Sequence, residues 1–448
     1  MIDPHTFRDL SPYCGEITPE DDAWLQRVSE LDPRTYRIAL AAEDAGADEF
    51  SPLIERAHDG HWWAGRYIGA VSFEGRRLVI EPRFGIEVIE HWLDEAFGLI
   101  APPASARHIE TDSFVVRLLA RIWCRSIDQA TRHGLPLLRL AEHHEGLFVR
   151  GRLNPHRTAA LQGQGRPAVA SVTYGRSLAH PATRAIVCAE RALATLLTGR
   201  VEWRTERVRQ VMPHLRGGVG SRPKLPTANE LERVRYTPIT LPFKRAAELS
   251  HRIASRLGYG AAEVDGQNDG MLIDVAELWE LFVLNCARQV APPGLRVEHG
   301  TTASRHESLL RSQRGDHPLG RLKPDVLVLE GDTVRSVIDA KYKRLADTRQ
   351  RPTGVAPADL YQIVAYALRF NPSNCALLAY PAPDPQDDDE MSYAEQFGAW
   401  ECDGRAVAFE RFPTDGAGCR AALTRHLTST THSLDSGLPA PHRDALVS

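Results

Sequence analysis

Residues 321–343 constrain this 448-residue chain more than any other stretch: Arg-Leu-Lys-Pro-Asp-Val-Leu-Val-Leu-Glu-Gly-Asp-Thr-Val-Arg-Ser-Val-Ile-Asp-Ala-Lys-Tyr-Lys. Two aliphatic runs, Val326–Leu329 and Val334–Ile338, flank Gly331-Asp332, a dipeptide with the chemistry of a tight turn. The spacing predicts a β-hairpin. Folding it about the turn sets Asp325 opposite Asp339 to within one residue. Asp339 and Lys341, two apart, then project from one face of one strand. The expectation is two carboxylates and an ammonium gathered at the open end of the hairpin. Carboxylates that close repel unless a cation lies between them, and oxygen donors select Mg²⁺ or Mn²⁺. A lysine beside them can hold and polarise a water that attacks a phosphodiester. The chemistry implied is metal-assisted phosphodiester hydrolysis. The plain alternative is a surface hairpin carrying an ordinary Asp339–Lys341 ion pair. A chance match to Pro-Asp…(Asp/Glu)-x-Lys within a roughly 20-residue window arises about once in twenty such chains, which favours the catalytic reading.

Composition sharpens the point. Of the 54 basic residues only five are lysine (224, 244, 323, 341 and 343), and three of those fall between 323 and 343. Where arginine is the default cation, lysine marks a position that needs a compact ammonium.

Two helices are expected around the hairpin. Asp274-Val-Ala-Glu277 has the pattern of a capping box opening a helix that runs to about Val290. Glu280 sits among Leu278, Trp279, Leu281, Phe282 and Val283, and is expected to face the metal as a further ligand. Downstream, Asp359-Leu-Tyr-Gln-Ile-Val-Ala-Tyr opens a second helix with Asp359 at its N-cap; Gln362 and Tyr366, four apart, share a face. Cys375–Tyr380 reads as a buried strand. Helix, hairpin, helix and strand together outline an α/β nuclease core.

Elsewhere, charge is segregated. Residues 1–60 carry 14 acidic and 5 basic side chains, net −9, and residues 150–235 carry 16 basic and 5 acidic, net +11. Such asymmetry assigns different partners to different parts of a chain, protein to the acidic end and DNA to the basic stretch. A second hairpin is predicted within 61–83, with Glu74-Gly75 as its turn. Helical spacing of Phe114, Leu118, Leu119 and Ile122, and of Ile186, Ala189, Leu193 and Leu196, marks the middle as helical. Residues 383–390 form an acidic loop. The domain expectation is a β-rich partner-binding module at 1–100, a mainly helical basic region at 101–260, a nuclease domain at 261–415 and a partly disordered segment at 416–448.

Several classes are excluded. No apolar run approaches the roughly 18–20 residues of a membrane span, and the N-terminus lacks the basic and apolar regions of a signal peptide. Seven scattered cysteines without a Cys-x-x-Cys argue against a disulfide scaffold or zinc finger. A cytoplasmic protein is expected. Glu142-His143-His144-Glu145 and His58/His61 invite a metal reading, but adjacent histidines on a strand point to opposite faces. They are read as structural or solvated.

The order of motifs resembles the restriction-endonuclease-like PD-(D/E)xK nucleases and, within them, the McrC family. Lys323-Pro324-Asp325 with Ile338-Asp339-Ala340-Lys341-Tyr342-Lys343 is similar to that family's nuclease signature. Asp359-Leu360-Tyr361-Gln362 with Tyr366 resembles its following helix, and Leu278-Trp279-Glu280 stands where the family has Leu-Phe-Glu. Ala64-Gly65-Arg66-Tyr67-Ile68-Gly69 with Leu78–Arg83 resembles its N-terminal hairpin, although Arg83 replaces an expected lysine. Arg150–Leu153 and Pro181–Arg184 resemble middle segments. The resemblance implies a Mg²⁺-dependent DNA endonuclease subunit working with an AAA+ GTPase ring in 5-methylcytosine-dependent restriction. It implies catalytic Asp325, Asp339, Lys341 and Glu280, support from Gln362 and Tyr366, and a metal held by Asp325, Asp339, Glu280 and the Ala340 carbonyl. Arg66, Tyr67, Arg76 and Arg83 are the expected ring contacts. The sequence has no G-x-x-x-x-G-K-[ST], so nucleotide-driven translocation falls to the partner. The rival readings are a non-catalytic adaptor of an NTPase ring that grips DNA, and a RecB-like exonuclease.

Overall fold

The hairpin predicted at 61–83 forms, and in the computed structural model it is the middle of a sheet. That structure describes residues 5–38, 40, 51–97, 111–197, 202–256, 268–315, 317–345, 353–382 and 392–428. The acidic loop at 383–390 and the segment from 429 to 448 lie outside the described residues. The chain divides into two units, Met1–Leu278 and Trp279–Ser448.

In the first unit, β1 (His5–Arg8) precedes helix α1 (Pro19–Ser29), and β2 (Ile54–Arg56) pairs with β3 (Trp62–Ala64). β4 (Tyr67–Phe73) and β5 (Arg76–Glu81) are antiparallel with Phe73 opposite Arg76. Glu74 and Gly75 turn the chain at φ of 51° and 73°, as a two-residue hairpin requires. After α2 (Ile86–Phe97) and α3 (Thr111–Ala130) comes an antiparallel sheet: β6 (Leu138–Gly146), β7 (Arg152–Leu153), α4 (Pro155–Gly163) and β8 (Val169–Ser177), in the order β6-β8-β7. Helices α5 (Pro181–Leu196), α6 (Glu206–Val219), α7 (Ala228–Glu232) and α8 (Pro242–Arg256) follow. The middle region is therefore helical as read, except across 138–177.

The first sheet is closed by a strand from far along the chain. β9 (Asn268–Asp274) pairs with β4, Tyr67 opposite Asp274, giving the order β1-β5-β4-β9. Gly69 permits it: a Cβ there would lie 2.1 Å from the Met271 carbonyl oxygen. The β-rich module expected within 1–100 thus borrows residues 268–274. Its core is Phe7, Trp24, Leu25, Trp62, Leu78, Ile80 and Leu272.

Helix α9 (Val275–Val290) spans the division between the units. Asp274 opens it, its carboxylate accepting from the Ala276 N–H at 3.0 Å. The second unit continues with β10 (Leu295–Glu298), β11 (Glu307–Arg311), β12 (Pro318–Leu322), β13 (Val326–Glu330), β14 (Thr333–Ala340), α10 (Pro357–Phe370), β15 (Cys375–Pro381), α11 (Tyr393–Gln396), β16 (Trp400–Cys402), β17 (Arg405–Phe412) and α12 (Gly416–Thr428). Among the described residues its main sheet has six strands, in the order β10-β13-β14-β15-β17-β16. β14 and β15 are parallel, so the chain crosses over between them, and α10 makes that crossover. Both strands are buried on two faces, which is why Val337-Ile338 and Ala376-Leu377-Leu378 read as unbroken apolar runs. α10 lays Ile363, Ala367 and Phe370 onto Leu327, Val337, Ala376 and Leu378. The unit is mixed α/β. Residues 416–428, expected as part of a loose segment, form α12.

Candidate active site

The predicted register holds. Val326 faces Ile338, so Asp325 and Asp339 are the next pair at the open end of the β13–β14 hairpin. A bulge between Val328 and Leu329 takes up one extra residue near the turn without disturbing that end. Asp339 is 2% exposed, because β14 is flanked by strands on both sides.

Lys341 lies on the same side as Asp339. Its ammonium is 2.8 Å from an Asp339 carboxylate oxygen and donates to Gln362 Oε1 at 2.8 Å. Burial works against a charged lysine, but Asp339 and Asp325 outweigh it and hold the Lys341 pKa above its usual value. Lys341 is therefore a fixed cation. Asp325 accepts the Ala340 N–H at 2.7 Å, which ties the two strand ends together across the pair of aspartates.

Helix α10 sets two polar side chains beside Lys341. Gln362 Nε2 donates to Tyr366 Oη at 2.9 Å, and that hydroxyl donates to the Lys323 carbonyl at 3.2 Å. Burial, with Asp339 and Asp325 nearby, pushes the Tyr366 pKa up, so the phenol stays protonated as a donor. The relay Lys341–Gln362–Tyr366–Lys323 connects both limbs of the hairpin through one helix face. It also fixes the orientation of the Gln362 amide, since its oxygen must face the ammonium.

One expectation about a flanking carboxylate changes. Asp359 does not cap α10: the N-cap is Ala356, Pro357 starts the helix, and Asp359 is its third residue. Its buried carboxylate instead holds Lys343 Nζ at 2.9 and 3.2 Å. Glu280 is half-buried on α9. Among the described residues no three His, Cys, Asp or Glu side chains are arranged to hold a metal ion. The hairpin end itself offers a hard-oxygen set, two carboxylates with the Ala340 carbonyl adjacent in sequence. That set suits Mg²⁺, which takes one or two carboxylates and retains waters.

Sequence reasoning missed the roles of Lys343 and Trp279. Trp279 is fully buried, and its indole N–H donates to the Ala379 carbonyl, which also accepts the Lys341 N–H at 2.8 Å. The larger ring standing where phenylalanine was expected carries a hydrogen bond that supports the strand beside Lys341.

The four residues expected to reach a partner from the first unit are engaged inside it. Arg66 pairs with Asp274 at 3.1 Å, and Tyr67 is 4% exposed. Arg76 pairs with Asp21 and stacks 4.7 Å from the Trp24 ring. The Arg83 guanidinium lies against Phe84 and 4.0 Å from Asp9. In a module this acidic these arginines serve as internal counter-ions.

Comparison with known proteins gives a consistent picture. A family model described as McrBC 5-methylcytosine restriction system component matches residues 63–381. Among solved structures, a chain of the half-complex from a tetradecameric assembly of Thermococcus gammatolerans McrB AAA+ hexamers with bound McrC superposes with a TM-score of 0.54. It is 16% identical, and the match covers 95% of this chain and 99% of that one. A chain of the Thermococcus gammatolerans McrBC complex matches at a TM-score of 0.36, with 17% identity over 63% of this chain and 86% of that one. At such identities the first likeness speaks for the fold alone. No protein of curated function matches the chain by sequence.

Proposed function

The chain belongs to the family of McrBC 5-methylcytosine restriction system components, the McrC family its motifs pointed to, and from that premise we propose that it is the DNA-cleaving subunit of such a system. In this reading the second unit is a PD-(D/E)xK nuclease domain. Asp325, Asp339 and the Ala340 carbonyl would hold Mg²⁺ or Mn²⁺, which would supply water activation and neutralise charge on the phosphate. The observation that carries the proposal is the buried Asp339–Lys341 pair facing Asp325 at the hairpin end. A surface ion pair needs neither the burial nor the second carboxylate.

The chain's own residues have separable tasks. Lys341, held charged by the aspartates, offers an N–H to the attacking water or to a phosphate oxygen as negative charge builds there. Gln362 and Tyr366 aim it, and the Lys343–Asp359 pair anchors the chain just beyond it. Phosphodiester hydrolysis then proceeds with one new P–O bond formed from water, one ester P–O bond broken, and a proton delivered to the leaving oxygen. The sequence has no G-x-x-x-x-G-K-[ST]. An AAA+ GTPase ring supplies nucleotide hydrolysis and licenses cutting at 5-methylcytosine, as the McrB AAA+ hexamers named with the structural neighbour support.

The test is direct: incubate the purified chain and its ring with methylated duplex DNA, GTP and Mg²⁺. Strand cleavage that stops on chelation supports the proposal. Absence of cleavage under every metal and partner condition overturns it in favour of the non-catalytic adaptor.

A further inference from the structure

The peptide entering the catalytic hairpin is itself a structural device. β11 and β12 pair only with each other among the described residues, Ser308 opposite Arg321 and Leu310 opposite Leu319, as a two-stranded antiparallel ribbon outside the main sheet. Such a ribbon is marginal in water without something to lie against. Its base is anchored: Ala303 is in the core, Leu322 packs against that core, and Arg321 donates to the Thr301 carbonyl at 3.1 Å. Beyond the base it is exposed on both faces, with Leu310 57% and Leu319 68% accessible on one and Leu309 46% on the other.

Its charge is one-sided. Residues 305–323 hold five basic side chains (Arg305, Arg311, Arg314, Arg321 and Lys323) against Glu307 and Asp316, net +3. Glu307 is already paired with Arg305 at 3.4 Å. Arg311, Arg314, Arg321 and Lys323 are exposed. The ribbon leads without a linker through Lys323-Pro324 into Asp325, and Tyr366 holds the Lys323 carbonyl. The ribbon's base, with Arg321 and Lys323, thus leads into Asp325, and its tip carries Arg311 and Arg314.

Resting on the phosphodiester-cleaving reading of that site, we infer that the β11–β12 ribbon is a duplex-DNA grip that positions the scissile strand. Charge complementarity names the occupant: a polyanion must reach Asp325 past these cations. A major groove about 12 Å wide admits a two-stranded ribbon. Arg311 and Arg314 bind phosphates at its tip, and the exposed leucines meet the apolar edges of the bases.

The experiment measures binding of full-length protein to a fluorescent duplex without divalent metal, between low and moderate salt. The Arg311→Ala/Arg314→Ala double variant should bind about tenfold more weakly at ~0.1 M salt. Its log K against log salt should be shallower by about 2, the release expected for two lost phosphate contacts. Its melting temperature should match the wild type. Wild-type affinity and slope in the variant, or no DNA binding by the wild type, overturns the inference. So does a Leu310→Ser/Leu319→Ser variant that splits a self-associated species while DNA affinity is unchanged, for the ribbon is then a protein interface. The two readings separate cleanly. Weak binding by the arginine variant alongside a wild type that binds but never cuts removes the nuclease reading, and with it the positioning of a scissile strand, and keeps the ribbon as a DNA grip alone. Wild-type cutting with unaltered variant binding removes the ribbon alone.

Discussion

Replacing Lys341 with arginine tests whether the site needs a compact ammonium or only positive charge. The lysine Nζ lies 2.8 Å from Asp339 and 2.8 Å from Gln362 Oε1, with a side chain 12% exposed. That pocket is closed by the Gln362–Tyr366 relay. A guanidinium is planar and wider, and entering here it displaces the Gln362 amide or turns away from the attacking water. Losing a fixed donor to developing charge costs about 10²–10³-fold in rate, roughly 2.7–4 kcal/mol of transition-state stabilisation. Lys341→Arg and Lys341→Ala should therefore both fall at least about a hundredfold, and within about tenfold of each other. The assay is single-turnover strand cleavage at saturating protein, with DNA affinity measured separately. A Lys341→Arg variant cutting within about tenfold of wild type refutes the reasoning, because a diffuse cation would then suffice.

Three further outcomes follow from the geometry. Arg66→Ala strips the main counter-charge from Asp274, whose carboxyl is already pushed up by burial against the pull of Arg66 and Arg37; denaturant unfolding should show a loss of about 3–5 kcal/mol, and a loss below about 1 contradicts a buried pair. Gly300 donates to the Pro324 carbonyl, and a Cβ there would lie 2.2 Å from that oxygen; Gly300→Ala must move the residue before Asp325, so cleavage should drop up to about a hundredfold, while wild-type rates would show the approach to be slack. His426 is 9% exposed, accepts from or donates to Ser336 Oγ at 2.7 Å, and burial followed by the Arg335 charge pull its pKa from 6.5 to about 4. The folded state then binds fewer protons than the unfolded one between those values, so stability is intact above about pH 6.5 and falls on acidification by up to about 3 kcal/mol near pH 4. A His426→Gln variant with the same acid sensitivity as wild type contradicts that source.

The parts of the fold that were legible are those written locally. Gly331-Asp332 between two aliphatic runs fixes a turn, and the turn fixes the register that pairs Asp325 with Asp339. Gln362 and Tyr366 were readable because four residues is one helical turn. Contacts between distant segments left no such trace. β9 joins β4 across some two hundred residues, and nothing in Asp274 announces Arg66 as its partner. Asp359 carries the same one-letter signal whether it caps its helix or grips Lys343, and only the crossover geometry decides. The sheet at 138–177 was hidden because His143 and His144 break the apolar alternation on a strand whose surface is largely exposed. The internal pairs of Arg66, Arg76 and Arg83 left no local trace either: an acidic module draws its few arginines inward.

The central claim is that Asp339 serves cleavage chemistry and not merely the fold. Asp339→Asn keeps the shape of the buried side chain and its contact with Lys341 while removing the anionic ligand. Single-turnover cleavage of methylated duplex DNA with Mg²⁺, GTP and the ring present should fall by at least about three orders of magnitude in this variant. DNA affinity and ring binding should stay at wild-type levels. Cleavage by Asp339→Asn at the wild-type rate would contradict the account.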